Sequence, residues 1–450
     1  MRLGGALRSM EKSPEALERI RQQFENAPYP KIPLEKSPKE DVNNLFIHNL
    51  VTAYYLKNQR ILDTQGKVIL DAGCGSGYKS LMLAEANPGA KIVGIDISPE
   101  SVKLARERLP YHGFENVEFH AIGIEEVPKL GMQFDYINSD DVLYFLDDLA
   151  AGMGALQSVL KPEGLIRGNL HCALGRAHYL QAQQVFSMMG LADEPSQDLA
   201  VGMVRETIHS LRDEVKLKAL TWNPSFDTYD ERILANYLLK GDRGYTIPEM
   251  FAALRAAQLE FVSMVHWRHW DLMSLFKDPE NLPIFLGMSL PELSIEEQLH
   301  FFELLNPRNR LIDFWCARSD WEVNHVKPIP AWEPADWWGA TVHLHPQVRT
   351  ERLKANLIDC IRQRKSFNIS RYLTEPVTQP VVLDSTLAAC LLPLWAAPQS
   401  FQSLVERWLR IRPLNPETLE ATSQDAAFQD IQQLLTNLET FLFVLLERSQ

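Results

Sequence analysis

The sequence predicts an open α/β fold built on a mostly parallel sheet, followed by a mainly helical region. Three observations predict it. A short apolar strand runs into a glycine-rich turn at Lys67 to Gly77 (KVILDAGCGSG). From there to about residue 170, strand-like and helix-like stretches alternate. Beyond about residue 340 the apolar residues recur mainly at helical spacing.

Val68 to Leu70 is the apolar run of a buried parallel strand, closed by Asp71. Gly73, Gly75 and Gly77 follow at alternate positions around Cys74, ahead of a helical stretch at Tyr78 to Ala86. Glycines there let the backbone turn tightly and approach a ligand at a helix N-terminus. The spacing is D-x-G-x-G-x-G, not the G-x-G-x-x-G of dinucleotide folds. A second strand, Lys91 to Ile97, carries Asp96 near its end, nineteen residues after Gly77, where an acid is placed to accept ribose hydroxyls. A helix (Pro99 to Leu109), a third strand (Val117 to Ala121) and a fourth (Phe134 to Asn138) come next. The fourth leads into Ser139-Asp140-Asp141-Val142-Leu143-Tyr144, and LKPEG turns into a fifth strand at Leu165 to Asn169.

DAGCGSG, GIDIS, FDYINSDDVLYFL and VLKPEG, in that order over roughly residues 65–170, resemble the class I S-adenosylmethionine-dependent methyltransferases. The resemblance implies a Rossmann-like sheet of seven strands, mostly parallel with the last antiparallel, and S-adenosylmethionine as cofactor. It implies that Gly73, Cys74, Gly75 and Gly77 cradle the methionine part, with Asp71 beneath, Asp96 on the ribose beside Ile97, and Asn138 close by. Many relatives carry an acid after the third strand for the adenine; here that position is Gly123, and the backbone of Ile124 or the carboxylate of Glu125 could substitute. QFENAPYPK at Gln23 to Lys31 and DRGYTIPEM at Asp242 to Met250 resemble segments of bacterial methyltransferases fused to tetratricopeptide repeats, although the repeats are missing. Residues 1–38 are therefore expected to fold over the cofactor site, with Tyr29 as a packing anchor.

The sheet is expected to finish with a helix (Ile247 to Gln258), strand six (Leu259 to Trp267) and strand seven (Arg310 to Ala317). Residues 39–320 then form the catalytic domain, interrupted by largely helical insertions at about 171–243 and 270–307, the first read as a lid over the acceptor. Residues 321–340 read as a proline- and tryptophan-rich linker. Residues 341–450 read as an accessory domain, winged-helix-like if Val377 to Leu383 is a strand, with a final helix at Ala426 to Arg448. Its stripe of Ile431, Leu434, Leu435, Leu438, Leu442, Leu445 and Leu446 is wide enough for a protein partner or a second copy.

Methyl transfer needs alignment first, and a base only if the acceptor arrives protonated. Asp140, Asp141, Tyr144 and His171 are the candidates for acceptor chemistry. Against them stand helix capping for the aspartates and a plain loop hydrogen bond for the histidine. His266 and His269, on a strand, would face opposite sides and share no metal, so none is expected. The net charge of −13 (58 acids, 45 bases) argues against a nucleic-acid partner. Five scattered cysteines without a C-x-x-C pair read as reduced thiols, and no apolar run is long enough for a membrane span, so a soluble cytoplasmic protein is expected. The acceptor is expected to be a small molecule, with a protein side chain as the alternative. A non-catalytic binding protein that keeps the cofactor fold is the rival from another class.

Overall fold

The computed structural model describes residues 31–191, 196–321 and 326–448; Tyr29 and most of the QFENAPYPK segment lie outside them. Helices α1 (Val42–His48) and α2 (Leu50–Asn58) precede β1 (Val68–Ala72). Then come α3 (Tyr78–Ala86), β2 (Lys91–Asp96), α4 (Pro99–Tyr111), β3 (Val117–Ala121), β4 (Phe134–Ser139), α5 (Leu149–Ser158) and β5 (Leu160–Cys172). An insertion of α6 (Ala177–Met188), α7 (Gln197–Ser210), α8 (Lys216–Thr221) and α9 (Asp230–Asn236) follows. The chain rejoins the sheet through β6 (Gly244–Tyr245), α10 (Ile247–Ala256) and β7 (Leu259–Met264). Helices α11 (Ile284–Ser289) and α12 (Ile295–Leu305) lie between β7 and β8 (Leu311–Arg318).

The strand order is β3-β2-β1-β4-β5-β8-β7, with β6 a short parallel addition at the end of β5. All neighbours from β3 to β5 are parallel, and β8 runs antiparallel to both β5 and β7. The order reverses at β1 and β4, which puts the ligand crevice at their carboxyl ends. Strand β5 is longer than predicted and includes His171, because its far half pairs with Leu311 to Ala317. Strand β7 is shorter: it stops at Met264, and Trp267 to Trp270 is a 3-10 turn. His266 and His269 therefore do not face apart. Their rings stack at 5.7 Å, and His266 Nδ1 meets Glu375 at 2.8 Å. No group of three or more metal-ligating side chains forms among the described residues.

Side chains on one sheet face pack under α5, α10 and α12. Those on the other pack under α1 to α4, and that core continues without a break into the C-terminal region. The helical insertion has a small core of its own around Phe186, Val204, Phe226 and Tyr237. Among the described residues no helix is long and apolar enough to cross a membrane.

The C-terminal region comprises α13 (Pro334–Trp338), β9 (Ala340–Leu344), α14 (Glu351–Gln363), β10 (Phe367–Asn368), β11 (Val382–Leu383) and α15 (Ser385–Leu391). It ends with β12 (Gln399–Ser400), α16 (Phe401–Ile411), α17 (Gln424–Glu439) and β13 (Val444–Arg448). The final helix stops at Glu439, nine residues earlier than predicted, and the chain turns back as β13 to pair with β9. An unbroken apolar run such as FLFVLL suits a buried strand as well as a helix, and here tertiary pairing decides. Ile431, Leu434, Leu435 and Leu438 are buried within the chain, as are Leu442, Leu445 and Leu446. Trp337, in the expected linker, is also buried, against Trp332 and Phe401.

Candidate functional site

The glycine loop is shaped by contacts that leave no room for a side chain at Gly73 or Gly77. Gly73, Gly75 and Gly77 have φ of 85°, 50° and 82°, a backbone that side chains strain. A Cβ on Gly73 would lie 2.1 Å from Val142 Cγ2, and one on Gly77 would lie 2.7 Å from Ala105 Cα. The amides of Gly73 and Cys74 donate to Ile95 O, which ties the loop to the end of β2 (2.8 and 2.9 Å). The Cys74 thiol is buried, and burial raises its pKa, so the residue contributes backbone rather than a nucleophile.

Asp96 stands at the end of β2, its two oxygens accepting from the amides of Gly75 and Ser98 (2.9 Å each). Burial raises its pKa against those two hydrogen bonds. Each carboxylate oxygen keeps a lone pair for a ligand hydroxyl. Asp71 is buried beneath the loop, holding Ser80 Oγ (2.6 Å) and the amide of Asn138 (2.9 Å). Burial pushes Asp71 up to about 6 in spite of these bonds. Beyond β3, Ile124 is buried in the core and Ile97 is half-buried. Glu125 is exposed but folds back, its Oε2 3.3 Å from where a Gly123 side chain would start. A carboxylate thus reaches the neighbourhood of Gly123 from two residues away. On the opposite side, Arg108 donates to Ser76 O and to the carbonyls of Ile32 and Pro33. That strap brings Ile32 and Pro33, which follow the QFENAPYPK stretch, against the loop.

At the carboxyl ends of β4 and β5 lies a charged cluster. Arg167, in the middle of β5, donates two hydrogen bonds to Asp313 on β8 (2.7 and 3.1 Å). It also donates to His48 Nε2 (3.0 Å) and Asn138 Oδ1 (3.3 Å), and it lies 3.6 Å from Asp140. His48 donates through Nδ1 to Asn44 O (2.7 Å); burial, with Arg167 and Lys79 nearby, holds it neutral. Asp140 takes Lys79 at 2.6 Å and the Asn169 amide at 2.5 Å. Burial alone would raise Asp140, but Lys79 and Arg167 outweigh it and hold the acid ionised.

Asp141 differs from its neighbour. It sits at φ 59°, with its amide held by Asn169 Oδ1 at 2.8 Å. Its side chain is 28% exposed against 5% for Asp140, and its nearest cation is Arg310 at 3.7 Å. Burial raises its pKa, and the charge on Asp140 raises it further.

His171 is buried at the end of β5 with its ring stacked on Tyr144, centroids 3.8 Å apart and planes at 15°. Its Nδ1 donates to Asp242 (2.5 Å), and its Nε2 lies 3.5 Å from Arg310. Burial pushes His171 down to about 4 despite that carboxylate. Asp242 also accepts from Arg176 (2.9 Å) and Gln183 (2.8 Å), both in or next to α6. Tyr144 and His171 therefore fasten the helical insertion to the sheet edge.

The sequence reading named Asp71, Asp96, Asn138, Asp140 and Asp141, and the fold gathers them along one sheet edge. It missed Arg167, Asp313, Lys79, His48, Asn169 and Arg310. A signal existed for two of them: an arginine in LIRGNL and an aspartate in LIDFWC are opposite charges inside otherwise apolar strands, and such charges are buried only when paired.

A protein-family model described as "Methyltransferase domain" matches residues 63–219, which include the glycine loop, Asp96 and the acid pair. Residues 63–219 carry a class I S-adenosylmethionine-dependent methyltransferase domain. The chain is 26% identical over 68% of its length to an uncharacterised Synechococcus protein, of which it covers 75%. It is 35% identical over 23% of its length to the malonyl-[acyl-carrier protein] O-methyltransferase of Acetivibrio thermocellus, covering 36% of that protein. Among solved structures, PKMT2 from Rickettsia typhi superposes with a TM-score of 0.58 at 15% identity, over 92% of this chain and 76% of that one. Its complex with AdoHcy gives 0.56 at 15% identity, over 94% and 78%. The sheet order, with its antiparallel β8, is the arrangement expected from the resemblance. The cofactor is S-adenosylmethionine, and the residues fit it: the three glycines leave the loop backbone bare for the methionine part, and Asp96 presents acceptors to the ribose.

Proposed function

We propose that this methyltransferase acts on a small-molecule acceptor with an ionisable N–H or O–H group, and that Asp141 holds or takes its proton. One observation carries this reading: Asp140 is held by Lys79 at 2.6 Å and Asp313 by the buried Arg167 at 2.7 Å, whereas Asp141 is partly exposed and its nearest cation, the half-exposed Arg310, stands off at 3.7 Å. When bound, S-adenosylmethionine supplies the electrophilic methyl group. Asp71 and Asn138 support the loop, Asp96 orients the ribose, and Asp140, locked by Lys79 and Arg167, keeps a full negative charge beside Asp141. That charge makes Asp141 a better proton acceptor than a free carboxylate. The helical insertion, fastened through Asp242, stands at the same sheet edge and supports an enclosed acceptor.

The test begins with calorimetric titration of S-adenosylmethionine and S-adenosylhomocysteine. Wild type is expected to bind both, and Asp96→Ala to lose most of the affinity; no binding by wild type would end the enzyme reading. Labelled methyl groups offered to a fractionated lysate are expected in low-molecular-mass fractions. Label in protein bands would overturn the small-molecule acceptor.

A pH profile follows from the same site. Because the Asp141 carboxyl is raised, its ionised form and the activity that needs it appear only above the ordinary carboxylate range. The rate is expected to rise with pH through that raised value, and Asp141→Asn to abolish the rise while S-adenosylmethionine still binds. Asp140→Asn removes the neighbouring charge and is expected to move the limb to lower pH. A limb unmoved by both substitutions would take the proton away from Asp141.

A further inference from the structure

The connection between β7 and β8 carries far more chain than two adjacent antiparallel strands require. Two to five residues can join such a pair, yet the chain runs from Met264 to Leu311. Part of it has a clear packing role: α12 buries Leu299 and Phe302 against the sheet core. Helix α11 does not. It is six residues long and buries none of them, leaving Ile284, Phe285 and Met288 82%, 77% and 72% exposed. Behind it lies a groove of about 620 Å3, with an apolar lining of Trp270, Leu272, Met273, Leu282, Leu290 and Leu299. Single exposed apolar residues are ordinary, but three on one short helix at the lip of an apolar groove mark a contact surface.

Charge decides what fits there. Between residues 271 and 299 the chain has six acids and a single base, Lys277. Asp271 and Glu280 line the groove itself. Glu296 is paired with Arg255 at 2.6 Å, and Glu297 is engaged in capping Ser294. That leaves Asp278, Glu280 and Glu292, of which Glu280 lines the groove and the other two adjoin the lining residues Pro279 and Pro291; Asp271 gives one oxygen to the amide of Met273 and keeps the other. A second copy would bring the same acidic rim against this one, and a membrane with anionic headgroups would be repelled as well.

We propose that the groove docks a basic, amphipathic helical segment of a protein partner. Its apolar residues would lie between α11 and α12, and its lysines or arginines against Asp271, Glu280 and Glu292. This is the helix-in-groove mode, in which apolar residues at helical spacing anchor and flanking charges set orientation and choice of partner. The surface lies outside the matched residues 63–219 and shares no residue with the methyl-transfer site, so it stands or falls separately from the acceptor reading.

The experiment uses the full chain and a fluorescein-labelled fourteen-residue helical peptide of leucine and lysine, followed by fluorescence anisotropy. Saturable binding is expected, weakening steeply with salt. The double variants Phe285→Ser/Met288→Ser and Glu280→Lys/Glu292→Lys are each expected to weaken it at least about tenfold, with S-adenosylmethionine affinity unchanged in both as the check on folding. Equal binding of the leucine–glutamate counterpart, or equal binding by either variant, would overturn the proposal. So would a dimer in analytical ultracentrifugation that the Phe285→Ser/Met288→Ser variant dissolves, which would make a second copy the occupant. Flotation with phosphatidylglycerol vesicles that depends on the same two side chains would do so too, by making it a lipid surface.

Discussion

Arg167→Met is expected to cost about 3–5 kcal/mol of folding stability, the range for removing one partner of a buried ion pair. Arg167 is 3% exposed and ties together Asp313, His48 and Asn138. Its charge persists because Asp313 and Asp140 more than offset the penalty of burial. Without it, Asp313 keeps no cation within ion-pair distance among the described residues, and Asp140 is left with Lys79. The loss should appear as a lower urea midpoint with an unchanged slope. A second variant separates charge from packing. Arg167→Met combined with Asp313→Leu is expected to recover most of the loss, because replacing both partners by apolar groups removes the unpaired acid. A single variant less than about 1 kcal/mol below wild type, well short of that range, would show that the cluster relaxes or hydrates freely.

Gly77→Ala is expected to weaken S-adenosylmethionine binding more than any other one-methyl change in the loop, and to resist rescue. The added Cβ meets Ala105 Cα, a backbone atom of α4, at 2.7 Å, so α3 and α4 must move apart. At Gly73 the obstacle is a side chain, Val142 Cγ2 at 2.1 Å. Gly73→Ala is therefore expected to lose binding as well, but to regain much of it with Val142→Ala, leaving the strain of a left-handed alanine at about 1–2 kcal/mol. Calorimetry on the three variants decides. An unchanged dissociation constant for Gly77→Ala would mean that the loop does not need its close approach to α4. Rescue of Gly73→Ala by Val142→Ala, with none available at Gly77, is the pattern the packing requires.

What the sequence disclosed follows from range. The strands from Val68 to Asn138, the glycine turn and Asp96 were legible because each is written in neighbouring residues: an apolar run, a turn that needs glycine, an acid at a strand end. The order of the sheet came from resemblance, not periodicity. The charged cluster was hidden, because Arg167 meets His48 and Asp313 across sequence separations of 119 and 146. Asp140 and Asp141 were both named, but nothing local says that one is locked and the other open. That distinction depends on Lys79 and on the left-handed turn at Asp141. His266 and His269 were misplaced for a related reason: period-two reasoning holds only while the strand lasts, and β7 ends before them. At the chain's far end, FLFVLL was read as helix because β9 supplies the hydrogen bonds that make it a strand.

The shared core has a consequence for how the molecule is made. Tyr55, on α2, donates to Glu439, and its oxygen accepts from the amide of Leu446, 391 residues later. Thr52 on the same helix meets His345 at 3.0 Å. During synthesis the side of α2 that carries Thr52 and Tyr55 therefore waits for its partners until β13 has left the ribosome. At roughly 5–20 residues per second that wait lasts tens of seconds, long enough for chaperones to act on the nascent chain.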